Sequence, residues 1–409
     1  MKAYERLIKY ASYATASDEN NEGCPSTPAQ LEFARALEVE LRELGLSEIE
    51  LDENGYLFAT VPATEGCEGA PVLGFIAHMD VSPDVSDKNV KAHTVEYNGG
   101  DITLNEDLGI VMRAEEYSVL NRYVGKTLVV TDGTTLLGAD DKAGIAEIIT
   151  ACEKMLADKS IRHGKLRIGF TPDEEIGRGA DKFDVTRFGA KWAYTLDGAS
   201  FGECEYETFN ASSLKVEIFG KSIHPGAAKN KMINASVVAH EYMSMLPALE
   251  RPEHTSGYEG FYHLVGMEGS VESAVLHFII RDHDAAKLEA RCDYALRAAK
   301  ELCRRYGEDT VNATVKESYR NMKEMILPDA EHLIDSAYTA IRALGGEPTS
   351  YPVRGGTDGS RLSFMGLPCP NLGTGSHNHH GKMEFACAEE MELCTMQVIE
   401  IAKLYADKK

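Results

Sequence analysis

Leu136-Leu137-Gly138-Ala139-Asp140-Asp141-Lys142-Ala143-Gly144 is the stretch on which the chain changes from one kind of element to another. Before it, Thr127 to Leu137 is an apolar run rich in Val and Leu, which reads as a strand. After it, Ile145, Ile148, Ile149, Cys152 and Met155 recur three and four apart, which predicts a helix. A strand, a Gly-flanked turn and a helix put the turn at the carboxyl end of a sheet, where ligands collect in α/β proteins. Two adjacent acids in such a place cost stability unless something positive holds them. Lys142 could do so, and so could a metal ion. On this stretch alone, a capping or salt-bridged Asp pair and a metal site explain the residues equally well.

Working outward, the same pattern recurs. Val72 to Ala77 is a continuous apolar run, the mark of a strand buried on both faces, and it ends in His78-Met79-Asp80. Lys165 to Phe170 ends in Thr171-Pro172-Asp173-Glu174-Glu175-Ile176-Gly177, and Trp192 to Leu196 ends in Asp197-Gly198. Strands that stop repeatedly on an acid or a His, placed in one sheet, predict one site at its carboxyl edge. Flanking elements are a short amphipathic helix over Tyr4–Tyr13 and a longer one opened by Thr27-Pro28 and closed by Gly45. Glu50 to Val61 reads as a hairpin turning at Asn54-Gly55. From Ser82 to about Arg122 the chain is polar with little periodicity, and a surface excursion is expected.

Near Asn210 the texture changes. Strand Ser213–Phe219, helix Asn234–Leu246, strands Gly260–Met267 and Glu272–Arg281, helix Ala285–Tyr306 and strand Thr310–Ser318 give the order β-α-β-β-α-β, which is ferredoxin-like. After Asn321 the first pattern resumes, with helices over Ala330–Leu344 and Ala388–Tyr405. The expected fold class is therefore α/β. A catalytic domain built on a mixed sheet flanked by helices is formed by residues 1–209 and 321–409. A ferredoxin-like domain of residues 210–320 is inserted into it.

The 409 residues suit two domains, and 43% hydrophobic with 26% charged residues is the composition of a globular protein. A formal charge of -23 argues against nucleic acid or an anionic membrane surface as a partner. The nine cysteines are odd in number and lack C-x-x-C spacing, which fits reduced thiols acting as inert packing groups. With no signal-peptide pattern and no run of 18 apolar residues, a cytoplasmic location is expected.

The strand-end groups are His78, Asp80, Asp140, Asp141, Glu174, Glu175, Asp197 and one of His377, His379 or His380. Imidazoles and carboxylates without a thiolate suit zinc, manganese or cobalt, and they suffice for two ions if one carboxylate bridges. Asp140, in its Gly-flanked turn, is the candidate bridge. Asp80, two residues after His78, is placed to hold the other ring nitrogen of that His. Glu174 and Glu175 divide the work, one ligating and the other accepting a proton from bound water.

These motifs, His78-Met79-Asp80, Gly138 to Gly144, Thr171 to Gly177, Asp197-Gly198 and His380-Gly381-Lys382, resemble the dizinc amidohydrolase superfamily of aminoacylase and carboxypeptidase G. His224-Pro225-Gly226, Ile279-Ile280-Arg281-Asp282 and Arg354-Gly355-Gly356-Thr357-Asp358-Gly359 extend the likeness to its tripeptide aminopeptidases. The resemblance implies two zinc ions per chain, with manganese or cobalt as substitutes. It implies that His78 and Asp197 hold one ion, Glu175 and His380 the other, and Asp140 both. It makes Glu174 the general base and Asp80 the orienter of His78, and it implies a cis peptide after Asp140. The inserted domain becomes a lid, and a homodimer is allowed.

Given that resemblance, His224 is the candidate oxyanion donor, Arg354 and Arg281 suit a peptide's terminal carboxylate, and Asn234 could add a donor. Taken singly, each residue has an ordinary structural explanation: a strand-end His, an N-cap pair, a solvated turn, an ion pair beside Asp282. His377 and His379 read as surface residues. Rival functions are a dipeptidase or an N-acyl amino acid deacylase of the same superfamily, and a non-catalytic metal-binding scaffold. A scaffold would need no proton acceptor, which speaks against it.

Overall fold

A computed structural model describes residues 1–408. In chain order the first elements are α1 (Ala3–Tyr10), α2 (Pro28–Leu44), β1 (Ser47–Leu51), β2 (Leu57–Val61), β3 (Leu73–His78), β4 (His93–Tyr97), β5 (Ile102–Asn105), β6 (Ile110–Met112) and β7 (Lys126–Val130). Then come α3 (Ala139–Ala157), β8 (Leu166–Thr171), α4 (Val185–Phe188), β9 (Trp192–Gly198) and β10 (Cys204–Glu205). A middle set follows: β11 (Asn210–Phe219), α5 (Ala235–Met245), β12 (Phe261–Gly269), β13 (Ser273–Asp282), α6 (Ala285–Tyr306) and β14 (Val311–Tyr319). The last are α7 (Lys323–Ala343), α8 (Asp358–Phe364), β15 (Asn371–Gly373), β16 (Ser376–His377), β17 (Phe385–Cys387) and α9 (Ala388–Tyr405). The chain forms two compact units, one of residues 1–206, 322–351 and 357–409, the other of residues 207–321 and 352–356.

The first unit is organised on a seven-stranded sheet in the order β1-β2-β8-β3-β9-β15-β10. Its centre, β8-β3-β9-β15, is parallel, β2 and β10 pair antiparallel with it, and β1 pairs antiparallel with β2. Strands β3 and β8 are buried along their whole length, as parallel strands covered on both faces must be. Helix α3 packs on β3 and β9, burying Ile145, Ile148, Ile149, Cys152 and Met155 completely. Gly45 closes α2 at φ +88°, a left-handed cap that glycine adopts without a Cβ clash.

Three expectations about this unit need correction. The apolar run before Asp140 does not belong to the main sheet. It forms β7, which pairs with β4 and β17 in a separate four-stranded sheet, order β16-β17-β7-β4. Asp140 therefore arrives at the edge of the main sheet through the loop that follows β7. A buried apolar run shows that a strand is covered but carries no information about which sheet covers it. Nor is the stretch from Ser82 to Arg122 a featureless excursion. It supplies β4, β5 and β6, and with β7 and β17 it closes a satellite core of Tyr97, Met112, Leu120, Tyr123, Leu128, Val130 and Phe385. These strands are short and half-exposed, so periodicity had little to register. The helix expected from Ala330 begins earlier, at Lys323, and is broken at Ala330 (φ -131°) just after Pro328, whose ring and missing N–H interrupt the ladder.

The second unit is a four-stranded antiparallel sheet, order β12-β13-β11-β14, with α5 and α6 packed on one face. That strand order and the β-α-β-β-α-β sequence are those of the ferredoxin-like fold. Strand β13 alternates strictly, turning Leu276, Phe278 and Ile280 onto Val238, Tyr242, Ala295 and Leu302.

Gly144 sets how closely α3 crosses the end of β9. A Cβ there would lie 2.1 Å from the Leu196 carbonyl oxygen and 2.6 Å from Asp141 Oδ1. Gly144→Ala should therefore lower the melting temperature and cost about 1–3 kcal/mol by overpacking. A melting curve unchanged from wild type would show that the helix can move off the strand freely.

Candidate metal centre

His78 is the last residue of β3, Asp197 lies near the end of the adjacent β9, and Glu174 and Glu175 follow the end of β8. Chain geometry alone brings these side chains to one edge, because parallel neighbours in register end together. Asp140 comes in from the non-helical start of α3, after the loop that follows β7, and His380 from the turn after β16. Asp140 lies between imidazoles: its Oδ1 is 3.0 Å from His78 Nε2, and its Oδ2 is 3.3 Å from His380 Nε2. His78 Nε2 is also 3.3 Å from Asp197 Oδ1, and His380 Nε2 is 2.8 Å from Glu175 Oε2. Among the described residues, donor atoms of His78, Asp140 and Glu175, and those of His78, Asp141 and Asp197, converge closely enough to hold a metal ion.

Buried carboxylates hold the turns that carry these groups. Glu384, 1% exposed, accepts the backbone N–H groups of Leu137 (2.8 Å), Gly138 (2.7 Å) and Asp140 (3.0 Å). Asp80, fully buried, accepts those of Glu174 (3.0 Å) and Glu175 (3.1 Å). Its carbonyl oxygen lies 3.1 Å and its Oδ1 3.4 Å from His78 Nδ1. With acceptors on that side, Nδ1 carries a proton. Nε2 faces the carboxylates of Asp140 and Asp197. Burial lowers the proton affinity of the ring, but Asp197, Asp140 and Asp80 outweigh it and hold it well above the ordinary imidazole value. Asp141, across a cis Asp140–Asp141 peptide, accepts the His78 N–H at 3.1 Å through Oδ2. Asn371 accepts the Asp197 N–H at 3.0 Å, and Asp173 accepts from Ser26 and Gln30. Glu384, Asn371 and Gln30 escaped the sequence reading. Each is an ordinary polar residue in sequence, and only its backbone partners reveal a role.

Electrostatically the site is overloaded with acid. Burial, together with Asp197, holds Asp141 and Glu174 well above the ordinary carboxylate range. Burial and Asp140 push Glu175 up to about 7. Burial alone would raise Asp140, but His379, His380 and His78 outweigh it and hold it well below. His380 is lifted to about 11 by its hydrogen bonds to Asp140 and Glu175. Glu175 Oε1 is buried with no hydrogen-bond partner among the described residues. Carboxylates crowded beyond what the imidazoles neutralise, with a buried acceptor atom unpartnered, are the environment that divalent cations satisfy. The residues fit a metal centre.

His377 is not a surface residue, and His379 is only partly exposed. His377 is buried, its Nε2 in a short hydrogen bond with Tyr123 Oη, and His379 Nδ1 lies 3.5 Å from Asp140 Oδ2. Adjacent polar residues in a His-rich turn look solvated in sequence, and only the fold shows which way the turn faces.

His224, Asn234, Arg281 and Arg354 belong to the second unit. His224 is exposed, and its Nδ1 accepts the Gly226 N–H at 3.2 Å. Asn234 caps α5, accepting the N–H groups of Ser236 and Val237. Arg281 donates to the Arg354 carbonyl at 3.0 Å. Arg354 donates to the carbonyls of Gly257 (2.8 Å) and Glu259 (2.9 Å) and to Thr255 Oγ1 (2.8 Å). Its guanidinium also lies over the rings of Phe209 and Phe261.

The profile of a peptidase dimerisation domain matches residues 206–307. The peptidase T of Caldanaerobacter subterraneus subsp. tengcongensis is 52% identical over 408 residues, covering 100% of this chain and 99% of that protein. The crystal structure of aminopeptidase PepT from Bacillus cereus ATCC 10987 superposes with a TM-score of 0.78 at 23% identity, covering 99% of this chain and 98% of that one. A tripeptidase from Staphylococcus aureus gives a TM-score of 0.78 at 22% identity, covering 100% and 98%.

Glu384→Gln places an amide N–H₂ against backbone donors that need an acceptor. The expected outcome is a loss of about 1–3 kcal/mol from the unsatisfied buried groups, together with weaker retention of divalent metal during dialysis. Wild-type stability and wild-type metal retention would show that Asp140 is held by other means.

Proposed function

Since this chain belongs to the peptidase T family, we infer that it is a metal-dependent aminopeptidase that removes the N-terminal residue from tripeptides. The observation that carries the reading is the single carboxylate of Asp140, with one oxygen facing His78 and the other facing His380. Glu174 stands beside it at the end of β8 with its backbone N–H held by Asp80. We assign the cations as two zinc ions, on a donor set of imidazoles and carboxylates without thiolate. His78 and Asp197 would hold one, Glu175 and His380 the other, and Asp140 both. Bound there, they would supply Lewis acidity for the scissile carbonyl and lower the pKa of water.

The rest of the chemistry belongs to side chains. Glu174 accepts a proton from the attacking water and returns it to the leaving amine. Asp80 keeps Nδ1 of His78 protonated and the Glu174–Glu175 turn in place. In the second unit, His224 is assigned as oxyanion donor, Arg354 and Arg281 as recognition elements for the peptide carboxylate, and Asn234 as a further donor. That unit is read as a lid, with the chain passing between the units near residues 206–207, 321–322, 351–352 and 356–357, and the match to a dimerisation domain supports a homodimer. The free thiols of all nine cysteines support a reducing, cytoplasmic setting. No helix among the described residues is long and apolar enough to cross a membrane.

Zinc-loaded protein offered matched di-, tri- and tetrapeptides, free and N-acetylated, tests the substrate class. Free tripeptides should be turned over fastest and N-acetylated ones refused. Preference for the acetylated series would replace the aminopeptidase reading by a deacylase. Glu174→Gln should keep both metals and most stability while kcat falls by several orders of magnitude. Full metal content with wild-type turnover would remove Glu174 as the base. Arg354→Ala should raise KM for a tripeptide acid much more than for the tripeptide amide. Equal losses on both would assign Arg354 to holding the 255–259 loop alone.

A further inference from the structure

Two consecutive imidazoles, His379 and His380, reach the same oxygen of Asp140 with different ring nitrogens. His380 Nε2 lies 3.3 Å and His379 Nδ1 3.5 Å from Asp140 Oδ2. Consecutive side chains of an extended segment point to opposite sides. Here Asn378 at φ +59° and His380 at φ +60° coil the turn so that both rings face inward.

The far side of the His379 ring is held by a chain of hydroxyls whose protons can be counted. Thr374 Oγ1 lies 2.8 Å from the carbonyl oxygen of Gly198, which can only accept, so the Thr374 hydroxyl donates there. Thr374 Oγ1 and Ser376 Oγ are 2.7 Å apart, and since the one Thr374 proton is already used, Ser376 donates to Thr374. Ser376 Oγ lies 2.8 Å from His379 Nε2, and with its own proton committed it must accept. Nε2 therefore carries the hydrogen, and both hydroxyls are essentially inaccessible to solvent, so water does not scramble the chain. In the neutral ring the lone pair is then on Nδ1, aimed at a carboxylate oxygen. Those are two acceptors facing each other, an arrangement resolved either by a proton on Nδ1 or by a metal cation between them. A ring whose outer nitrogen donates to a fixed acceptor while its inner nitrogen offers a lone pair is the usual form of a metal-ligating histidine.

We propose that His379 is an additional metal ligand of this centre, on the side held by His380 and Glu175, and that Ser376 and Thr374 are its positioning residues. The proposal rests on reading the site as a two-metal centre, and the experiment separates the two. Full-length protein stripped with a chelator is titrated with zinc against a chromophoric chelator, and the cobalt-loaded form is followed by its visible spectrum. Wild type should bind two ions. His379→Phe should bind the first normally and the second about 10–100-fold more weakly, with an altered cobalt spectrum. Ser376→Ala, which keeps the ring but removes its acceptor, should weaken the second ion in the same direction and by less. Fewer than two ions on wild type would overturn the two-metal reading and the proposal with it. Two ions on wild type, and the same second-ion affinity and cobalt spectrum in His379→Phe, would overturn the proposal alone. So would tighter binding in His379→Phe, since that is the sign expected if the ring were an imidazolium neutralising Asp140.

Discussion

Carboxylates gathered at one sheet edge repel one another, and the placement of the Asp140 carboxyl is what makes the gathering tolerable. It faces His78 on one side and His380 on the other, and its backbone is gripped by the buried Glu384. Remove those partners and Asp140, Asp197, Glu174 and Glu175 become a cluster of half-buried acids with no reason to ionise. With them, the cluster becomes a cage with more negative charge than its imidazoles neutralise. Such a cage destabilises the protein in the absence of cations and binds cations strongly, because the desolvation cost of the acids has already been met in folding.

The cage is rigid because its supports are backbone amides rather than mobile side chains. Asp80 takes the N–H groups of Glu174 and Glu175, Glu384 those of the Asp140 turn, and Asn371 that of Asp197. Each support links loops far apart in the chain, so a displacement of one ligand is resisted through another. Asp80 ties the end of β3 to the end of β8, and Glu384 ties the turn carrying His380 to the turn carrying Asp140. Supports of this kind hold the side chains of His78, Asp140, Glu175 and Asp197 at fixed separation.

The second unit is built on different physics. Its sheet buries one face against α5 and α6 and shows the other to solvent, and its polar groups serve local tasks. Asn234 caps a helix, and Arg354 ties together the loop at residues 255–259. Residues assigned to substrate recognition therefore already have structural work, and a role in binding would be added to it.

Much of this was open to reading in one dimension. Buried parallel strands are continuous apolar runs, so β3, β8 and β9 and the residues at their ends could be located from His78, Glu174, Glu175 and Asp197 without a structure. The ferredoxin-like order of the second unit followed from its alternating strands and amphipathic helices. What the sequence could not contain was decided by packing over long separations. β7 joins a satellite sheet because β4 and β17 pair with it, and an apolar run does not name its neighbour. Glu384 is an anonymous acid until three N–H groups from more than two hundred residues away close on it. His379 appeared solvated because a His-rich turn has no periodicity to reveal its facing, and two positive φ angles turned it inward. Local pattern encodes which residues are buried; tertiary contacts decide which of the buried and turned-in polar groups meet.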